Sequence, residues 1–254
     1  MSKIFAVGDV HGRFDLLKKA FDAIGPLDAD KRIVMLGDYV DRGAESAECI
    51  DFLIAAQASN TEAQELVCLM GNHERMMLDA LINGSNYGYM SSWLMNGGIE
   101  TLESYGAAIP GGIVTSDPLR YIPTEHVDWL NGLPLSYETD NLFFVHAGVN
   151  PDRPLNDQKE KDLLWIREYF LKTDRGSAQE KHIVHGHTPH PHDNARFAHA
   201  HRRTNLDSGA VWTNILTIGI FDTDIEGGPI GYIFLEGTHE EITTREYFLN
   251  VKAK

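Results

Sequence analysis

At 254 residues, 43% hydrophobic and 23% charged, the chain has the make-up of an ordinary globular protein, long enough for one large α/β core. Its 37 acidic residues against 22 Lys and Arg give a net charge of −15, which argues against a nucleic-acid backbone as partner. A phosphate-bearing substrate stays open, because bound divalent cations can outweigh the global field locally.

Cys49 and Cys68 are the only cysteines, and both lie in apolar stretches, so buried reduced thiols are expected. No apolar run approaches the roughly 18 residues of a membrane span. The N-terminus leads straight into a strand and a candidate ligand that a cleavable signal would remove. A cytoplasmic protein with no membrane contact is the expectation.

In chain order, Ile4 to Val7 reads as a strand, Gly8 to Arg13 as a loop, and Leu16, Leu17, Ala20, Phe21 and Ile24 as one helix face closed by Gly25-Pro26. The loop carries Asp9 and His11. The second unit runs from Arg32-Ile33-Val34-Met35-Leu36 into Gly37-Asp38-Tyr39-Val40-Asp41-Arg42-Gly43, then a helix with Ala47, Ile50, Leu53 and Ile54. The third runs from Leu66 to Met70 into Gly71-Asn72-His73-Glu74 and a helix with Met77, Leu78, Leu81 and Ile82. Three strand–loop–helix units in succession predict a largely parallel sheet with its polar loops at one end.

Residues 83–135 break the rhythm and read as a helical, cap-like insertion within a single domain spanning 1–254. The sheet resumes at Leu142 to Val145, ending in His146-Ala147-Gly148. Residues 150–181 are polar and contain a short helix around Leu163 to Arg167. Ile183-Val184 then ends in His185-Gly186-His187-Thr188. From Arg203 to Asp207 onward, four strands without intervening helices predict a second sheet closing on the first.

Five predicted strands thus end in Asp9 and His11, Asp38, Asn72 and His73, His146, and His185 or His187. Carboxylate, imidazole and amide oxygen are ligands for divalent first-row metals, with Mn, Fe or Zn favoured over Ca or Mg. The donors are too many for one tetrahedral ion. Two ions would use them, with Asp38 as the shared carboxylate. Such a pair activates water at neutral pH and stabilises an in-line displacement at phosphorus. His73, beside Asn72, is placed to protonate the leaving alkoxide, Asp41 to hold its imidazole protonated, and Arg42 to fork onto phosphate oxygens. Singly, each pattern has a plain structural reading: a hydrogen-bonded turn, a helix-start ion pair or a satisfied core histidine. Together they do not.

Gly-Asp-Val-His-Gly, Gly-Asp-Tyr-Val-Asp-Arg-Gly, Gly-Asn-His-Glu, His-Ala-Gly and His-Gly-His-Thr, in this order, resemble the phosphoprotein phosphatase branch of the calcineurin-like metallophosphoesterases, in particular its bacterial and bacteriophage serine/threonine phosphatases. The likeness extends to Trp93–Gly98, Leu164–Arg167 and Leu206–Ala210. It implies a four-layer α/β/β/α fold, a central β-sandwich flanked by helices, with a dinuclear Mn (or Fe/Zn) centre. It implies Asp9, His11 and Asp38 as ligands of a first ion, and Asp38, Asn72, His146 and His187 as ligands of a second. His73 would be the acid with Asp41 behind it, and Arg42 and Arg167 would clamp phosphate. The activity implied is one-step hydrolysis of phosphoserine, phosphothreonine or a small phosphomonoester by a metal-bridging hydroxide. The alternatives are a dinucleoside tetraphosphate hydrolase and a non-catalytic phosphate-binding module. Two features depart from the family pattern. Met70 stands where many relatives carry a phosphate-binding Arg. The seven histidines of His182 to His201 include His190, His192, His199 and His201, which read as a solvated loop.

Overall fold

Strand β1 (Lys3–Val7) divides its side chains between two cores, Ile4 and Ala6 on one face, Phe5 and Val7 on the other. That alternation is what a strand buried on both faces requires. The computed structural model describes residues 3–25, 31–60, 65–83, 87–112, 117–172, 180–190, 199–200, 202–238 and 241–249. Strands β2 (Lys31–Met35) and β3 (Glu65–Cys68) continue the sheet in parallel, connected across α1 (Phe14–Ile24) and α2 (Ser46–Ala58). The spacing of Leu16, Leu17, Ala20 and Ile24 gives α1 its buried stripe. Helix α3 (Asn72–Ile82) starts directly on the loop that follows β3.

Residues 87–131 hold α4 (Tyr87–Trp93), a π turn at Leu94–Gly98, α5 (Ile99–Ser104) and α6 (Thr124–Asn131). They bury Trp93, Leu102, Ile122 and Leu130 in the same cluster as Phe5, Ile33 and Met35. The second sheet contains β4 (Ser136–Glu138), β5 (Leu142–Val145), β6 (His182–His185), β7 (His199–Ala200) and β8 (Arg203–Asn205), in the order β4-β5-β6-β8-β7. Its outer face is covered by α7 (Glu160–Trp165) and α8 (Glu168–Leu171), through Leu163 and Phe170 against Phe143, Val145 and Ile183.

Here the architecture corrects one expectation. After α9 (Ala210–Thr213) the chain does not extend the second sheet. Strands β9 (Ile215–Asp222), β10 (Gly231–Thr238) and β11 (Glu241–Phe248) join the first, giving the order β11-β10-β9-β1-β2-β3. The physical reason is the edge of β1 left open by β2: its N–H and C=O groups are buried and need a partner, which antiparallel β9 supplies. Between the sheets, Ile4, Ala6, Val34 and Leu36 meet Phe144, Val184 and Leu206, and the Phe144 and Phe221 rings sit edge-to-face at 5.8 Å. Truncating a ring so placed to Ala costs about 3–5 kcal/mol. The layers are therefore α/β/β/α, as the family resemblance implies.

Candidate active site

Each sheet contributes three mutually parallel strands, β1-β2-β3 and β5-β6-β8, and the loops after all six converge. They deliver Asp9, Asp38, Asn72, His146, His187 and Asp207, every one of them buried. Ligand sites beyond the carboxyl ends of parallel strands follow from this geometry. The loops are stitched to one another: Asp38 O accepts from Val10 N (3.0 Å) and His11 N (2.8 Å), and His146 O accepts from Gly186 N (2.8 Å). His11, Asp38, Asp41, Arg42 and His187 all have φ between +47° and +72°. Left-handed backbone at non-glycine residues costs of order 1–3 kcal/mol each, and such strain gathers at functional sites held by their surroundings.

Asp38 lies at the middle of the centre. Its Oδ2 is 3.4 Å from His11 Nε2, and its Oδ1 is 3.4 Å from His146 Nε2. It belongs to two side-chain groups that could hold a metal ion, His11–Asp38–His73 and Asp38–His146–His187. Backbone carbonyls set the imidazole tautomers. His11 Nδ1 donates to Val40 O (2.8 Å) and His146 Nδ1 to Leu36 O (2.9 Å), so both Nε2 lone pairs face the carboxylate. Asn72 Oδ1 is 2.8 Å from both His146 Nε2 and His187 Nδ1. Burial pulls His11 down to about 3 and His187 to about 2, and lowers His146, leaving the neutral imidazole that ligates metals.

Beside this centre His73 Nδ1 donates to Asp41 Oδ2 at 2.7 Å. The other carboxylate oxygen accepts from Trp93 Nε1 (2.9 Å) and Thr101 Oγ1 (2.7 Å), while Asp41 N donates to Thr101 Oγ1 and Ser46 Oγ. The segment read as a cap therefore forms the wall that fixes Asp41. Burial opposes a charged His73, but Asp38 and Asp41 outweigh it and raise its pKa above the ordinary histidine value. Its Nε2 remains on the crevice side, 4.0 Å from Asp38 Oδ2.

Asp9 accepts the His187 N–H at 3.0 Å, and burial together with Asp207 and Asp38 raises its pKa well above the usual carboxylate range. Asp207 hydrogen-bonds to Asp9, and burial brings it to about 7. A Cβ on Gly186 would stand 2.0 Å from Asp9 Oδ1, so the backbone there must be glycine for the carboxylate to lie where it does. Three buried carboxylates at one point ask for neutralising charge, and the donor set of carboxylates, neutral imidazoles and an amide oxygen is that of divalent first-row metals. The residues present fit a metal pair. Arg42 Nη1 donates to His11 Nε2 (2.6 Å) and Arg167 Nε to His187 Nε2 (3.0 Å), so a guanidinium stands at each end of the centre.

Every site residue expected from sequence thus reaches one crevice, though Asp9 sits beside Asp207 and not in the two clusters around Asp38. His185 does not reach it: its Nδ1 donates to Gly186 O (3.0 Å) and its ring packs on Phe170 at 5.2 Å. Met70 is buried in the core cluster. His182 and His185 are buried in β6; of the histidines expected in a solvated loop, His190 is half-buried outside any helix or strand and donates its backbone N–H to Asp207 O, whereas His199 lies in β7. His192 and His201 lie outside the described residues. Sequence reasoning missed Asp207, reading it as the last residue of a strand, when β8 ends at Asn205 and Asp207 is the sixth loop's contribution. It also gave no role to Glu74, whose carboxylate accepts the backbone N–H groups of Asp38, Tyr39, Val40 and Gly71.

A four-layer α/β/β/α fold with a buried Asp, His and Asn centre at its strand ends has the build of a metallohydrolase. Residues 2–212 match the calcineurin-like phosphoesterases, and the chain belongs to that family. It is 27% identical over 221 residues to serine/threonine-protein phosphatase 1 of Salmonella typhimurium, covering 85% of this chain and 90% of the relative. With the PP2A-like phosphatase PPG1 of Saccharomyces cerevisiae it shares 31% identity over 155 residues, 61% of this chain and 35% of that one. A crystal structure described provisionally as a diadenosine tetraphosphatase superposes with a TM-score of 0.59 at 18% identity, over 98% of this chain and 95% of that one, a likeness of fold alone. The family implies two metal ions. Among the described residues no helix is long and apolar enough to cross a membrane.

Proposed function

We propose that the chain is a phosphomonoesterase acting on phosphoserine or phosphothreonine, folded as one domain over residues 1–254 with the helical insertion at about 83–135 as one wall of its site. In this reading Asp9, His11 and Asp38 hold one ion and Asp38, Asn72, His146 and His187 the other, both Mn²⁺ or, by the same donor chemistry, Fe or Zn. Such ions, when bound, activate water and neutralise phosphoryl oxygens. The chain's own residues do the rest. Arg42 and Arg167 offer planar N–H forks to the phosphoryl oxygens from either end of the centre. His73 gives a proton to the departing serine or threonine oxygen from Nε2, and Asp41 keeps its Nδ1 proton in place. A covalent phosphocysteine is not part of the scheme: Cys49 and Cys68 are free but fully buried.

The observation that carries this reading is Asp38, shared by two metal-capable groups with the His73–Asp41 pair hydrogen-bonded beside it. The serine/threonine phosphatase relatives support the substrate class. A protein working in the cytoplasm on phosphoproteins or small phosphomonoesters, with no nucleic-acid partner and no membrane attachment, is the corresponding setting. The test is hydrolysis by the Mn²⁺-reconstituted protein of a phosphoserine peptide against a dinucleoside tetraphosphate. Preference for the peptide is expected. Preference for the dinucleotide would overturn the substrate, and inactivity on both with two ions bound would overturn the catalytic reading.

A further inference from the structure

Trp212 is 60% exposed, an unusual place for a large indole unless something uses it. Its ring lies under the Arg42 guanidinium, with Cζ 4.9 Å from the ring centroid. The two residues come from distant parts of the chain, Arg42 from the loop after β2 and Trp212 from α9, which follows β8 of the second sheet and precedes β9 of the first. Both ends of the contact are constrained. Arg42 takes φ +72°, and its N–H donates to Gly97 O at 3.2 Å. A Cβ on Gly97 would stand 2.5 Å from Arg42 N, so the insertion's π turn grips the arginine backbone closely. On the other side Gly209 adopts φ +68°, and a Cβ there would stand 3.2 Å from Trp212 Cε3. The indole is therefore laid down on the turn that also carries Asp207.

We propose that Trp212 is a positioning residue for phosphate binding: its face holds the Arg42 guanidinium plane over the crevice. The proposal rests on Arg42 being a phosphate-binding residue. An arginine side chain has many rotamers, and freezing them opposes binding. Arg42 starts from a left-handed backbone, so its direction is not set by a regular element. The indole covers a face of the guanidinium, and Gly97 O accepts from the backbone N–H of the residue that carries it. The guanidinium plane is then fixed before any phosphate arrives. Cation–π attraction comes from the ring quadrupole, strongest for Trp and weaker for Phe, and an aliphatic side chain of similar bulk lacks it. That difference separates positioning from mere packing.

The experiment measures inorganic phosphate binding to the Mn²⁺-loaded protein by titration calorimetry, alongside KM and kcat for p-nitrophenyl phosphate. The variants are Trp212→Ala, Trp212→Leu, Trp212→Phe, Arg42→Ala and the double variant Arg42→Ala/Trp212→Ala, each checked for thermal midpoint and metal content. Trp212→Ala and Trp212→Leu are expected to weaken phosphate binding about three- to tenfold, with the loss in KM and not in kcat. Trp212→Phe is expected to recover most of it. The double variant should bind no worse than Arg42→Ala, since the indole acts only through the arginine. Phosphate binding unchanged in Arg42→Ala would remove the phosphate role of Arg42, and the role of Trp212 with it. Weakening in Arg42→Ala together with wild-type binding in Trp212→Leu, or a double variant that adds the two losses, would overturn the role of Trp212 alone. Should Trp212→Ala not fold, the Leu and Phe variants decide by the same criteria.

Discussion

Glu74 binds the backbone of Asp38: its Oε2 accepts the Asp38 N–H at 2.8 Å, and its Oε1 accepts those of Tyr39 and Val40. Oε2 also takes the N–H of Gly71, the residue before α3. One fully buried carboxylate thus ties the start of α3 to a loop that carries Asp38, Asp41 and Arg42 in left-handed conformations. The strain in that loop persists because these bonds over-determine it.

Glu74→Gln is expected to be costly for this reason. The amide keeps the shape but turns one acceptor into a donor facing N–H groups. Lost charge-assisted bonds and a buried donor–donor conflict together cost about 2–4 kcal/mol. Urea unfolding should show a lower midpoint at unchanged slope, and metal content should fall as Asp38 loses its place. A variant with wild-type midpoint and two ions would show that the loop holds itself.

The contrast between Glu74 and Asp38 also marks what could be read without coordinates. Asp38 follows a short continuous apolar run, as do Asp9, Asn72 and His146, so the end of each buried strand announces the polar loop after it and the crevice can be assembled from sequence. Glu74 shares the Gly-Asn-His-Glu motif, yet three of its partners lie 34–36 residues away and all are backbone groups, which no side-chain pattern records. Thr101 likewise holds Asp41 from 60 residues away. His187 could not be separated from His185 by alternation, because both sit on the same parity. What separates them is the +65° φ of His187, which turns it off the line of β6. The return of β9 to the first sheet was hidden for another reason: a strand buried on both faces looks the same whichever open edge it joins.

Asp38→Asn tests the shared carboxylate. If Asp38 joins two ions, removing its charge should weaken both, so metal analysis after dialysis should show the loss of more than one ion per chain. Chelation of the wild-type protein should lower its thermal midpoint, because Asp9, Asp38 and Asp207 are then left facing one another without the ions. A variant that retains two ions per chain would refute the bridge.

Gly186→Ala addresses Asp9, whose ligand role has less direct geometric support than that of Asp38. The added methyl would stand 2.0 Å from Asp9 Oδ1, so the carboxylate must move, while the strand itself can remain. Mn²⁺ affinity is expected to fall about 10- to 100-fold, the scale seen when a ligand's support is disturbed, with a much smaller change in thermal midpoint. Unchanged affinity in a folded variant would mean that Asp9 does not hold metal.

His73→Asn and Asp41→Asn separate the proton from the phosphate. His73 donates its Nδ1 proton to Asp41 at 2.7 Å, and Asp38 and Asp41 together raise its pKa against the effect of burial, so the ring is equipped to carry a second proton on Nε2. An alkyl leaving group needs that proton; p-nitrophenolate scarcely does. With an alkyl phosphomonoester His73→Asn should lose about 10²–10⁴-fold in kcat, and with p-nitrophenyl phosphate far less. Asp41→Asn should show the same selectivity in weaker form, since the amide can still accept from Nδ1 but no longer supplies the charge that favours the imidazolium. Both variants should keep two ions, because the metal-capable set that remains around Asp38 includes His11, His146 and His187. Equal losses on the two substrates would assign His73 to ground-state binding or to metal ligation in the cluster it shares with His11, and would end its role as the acid.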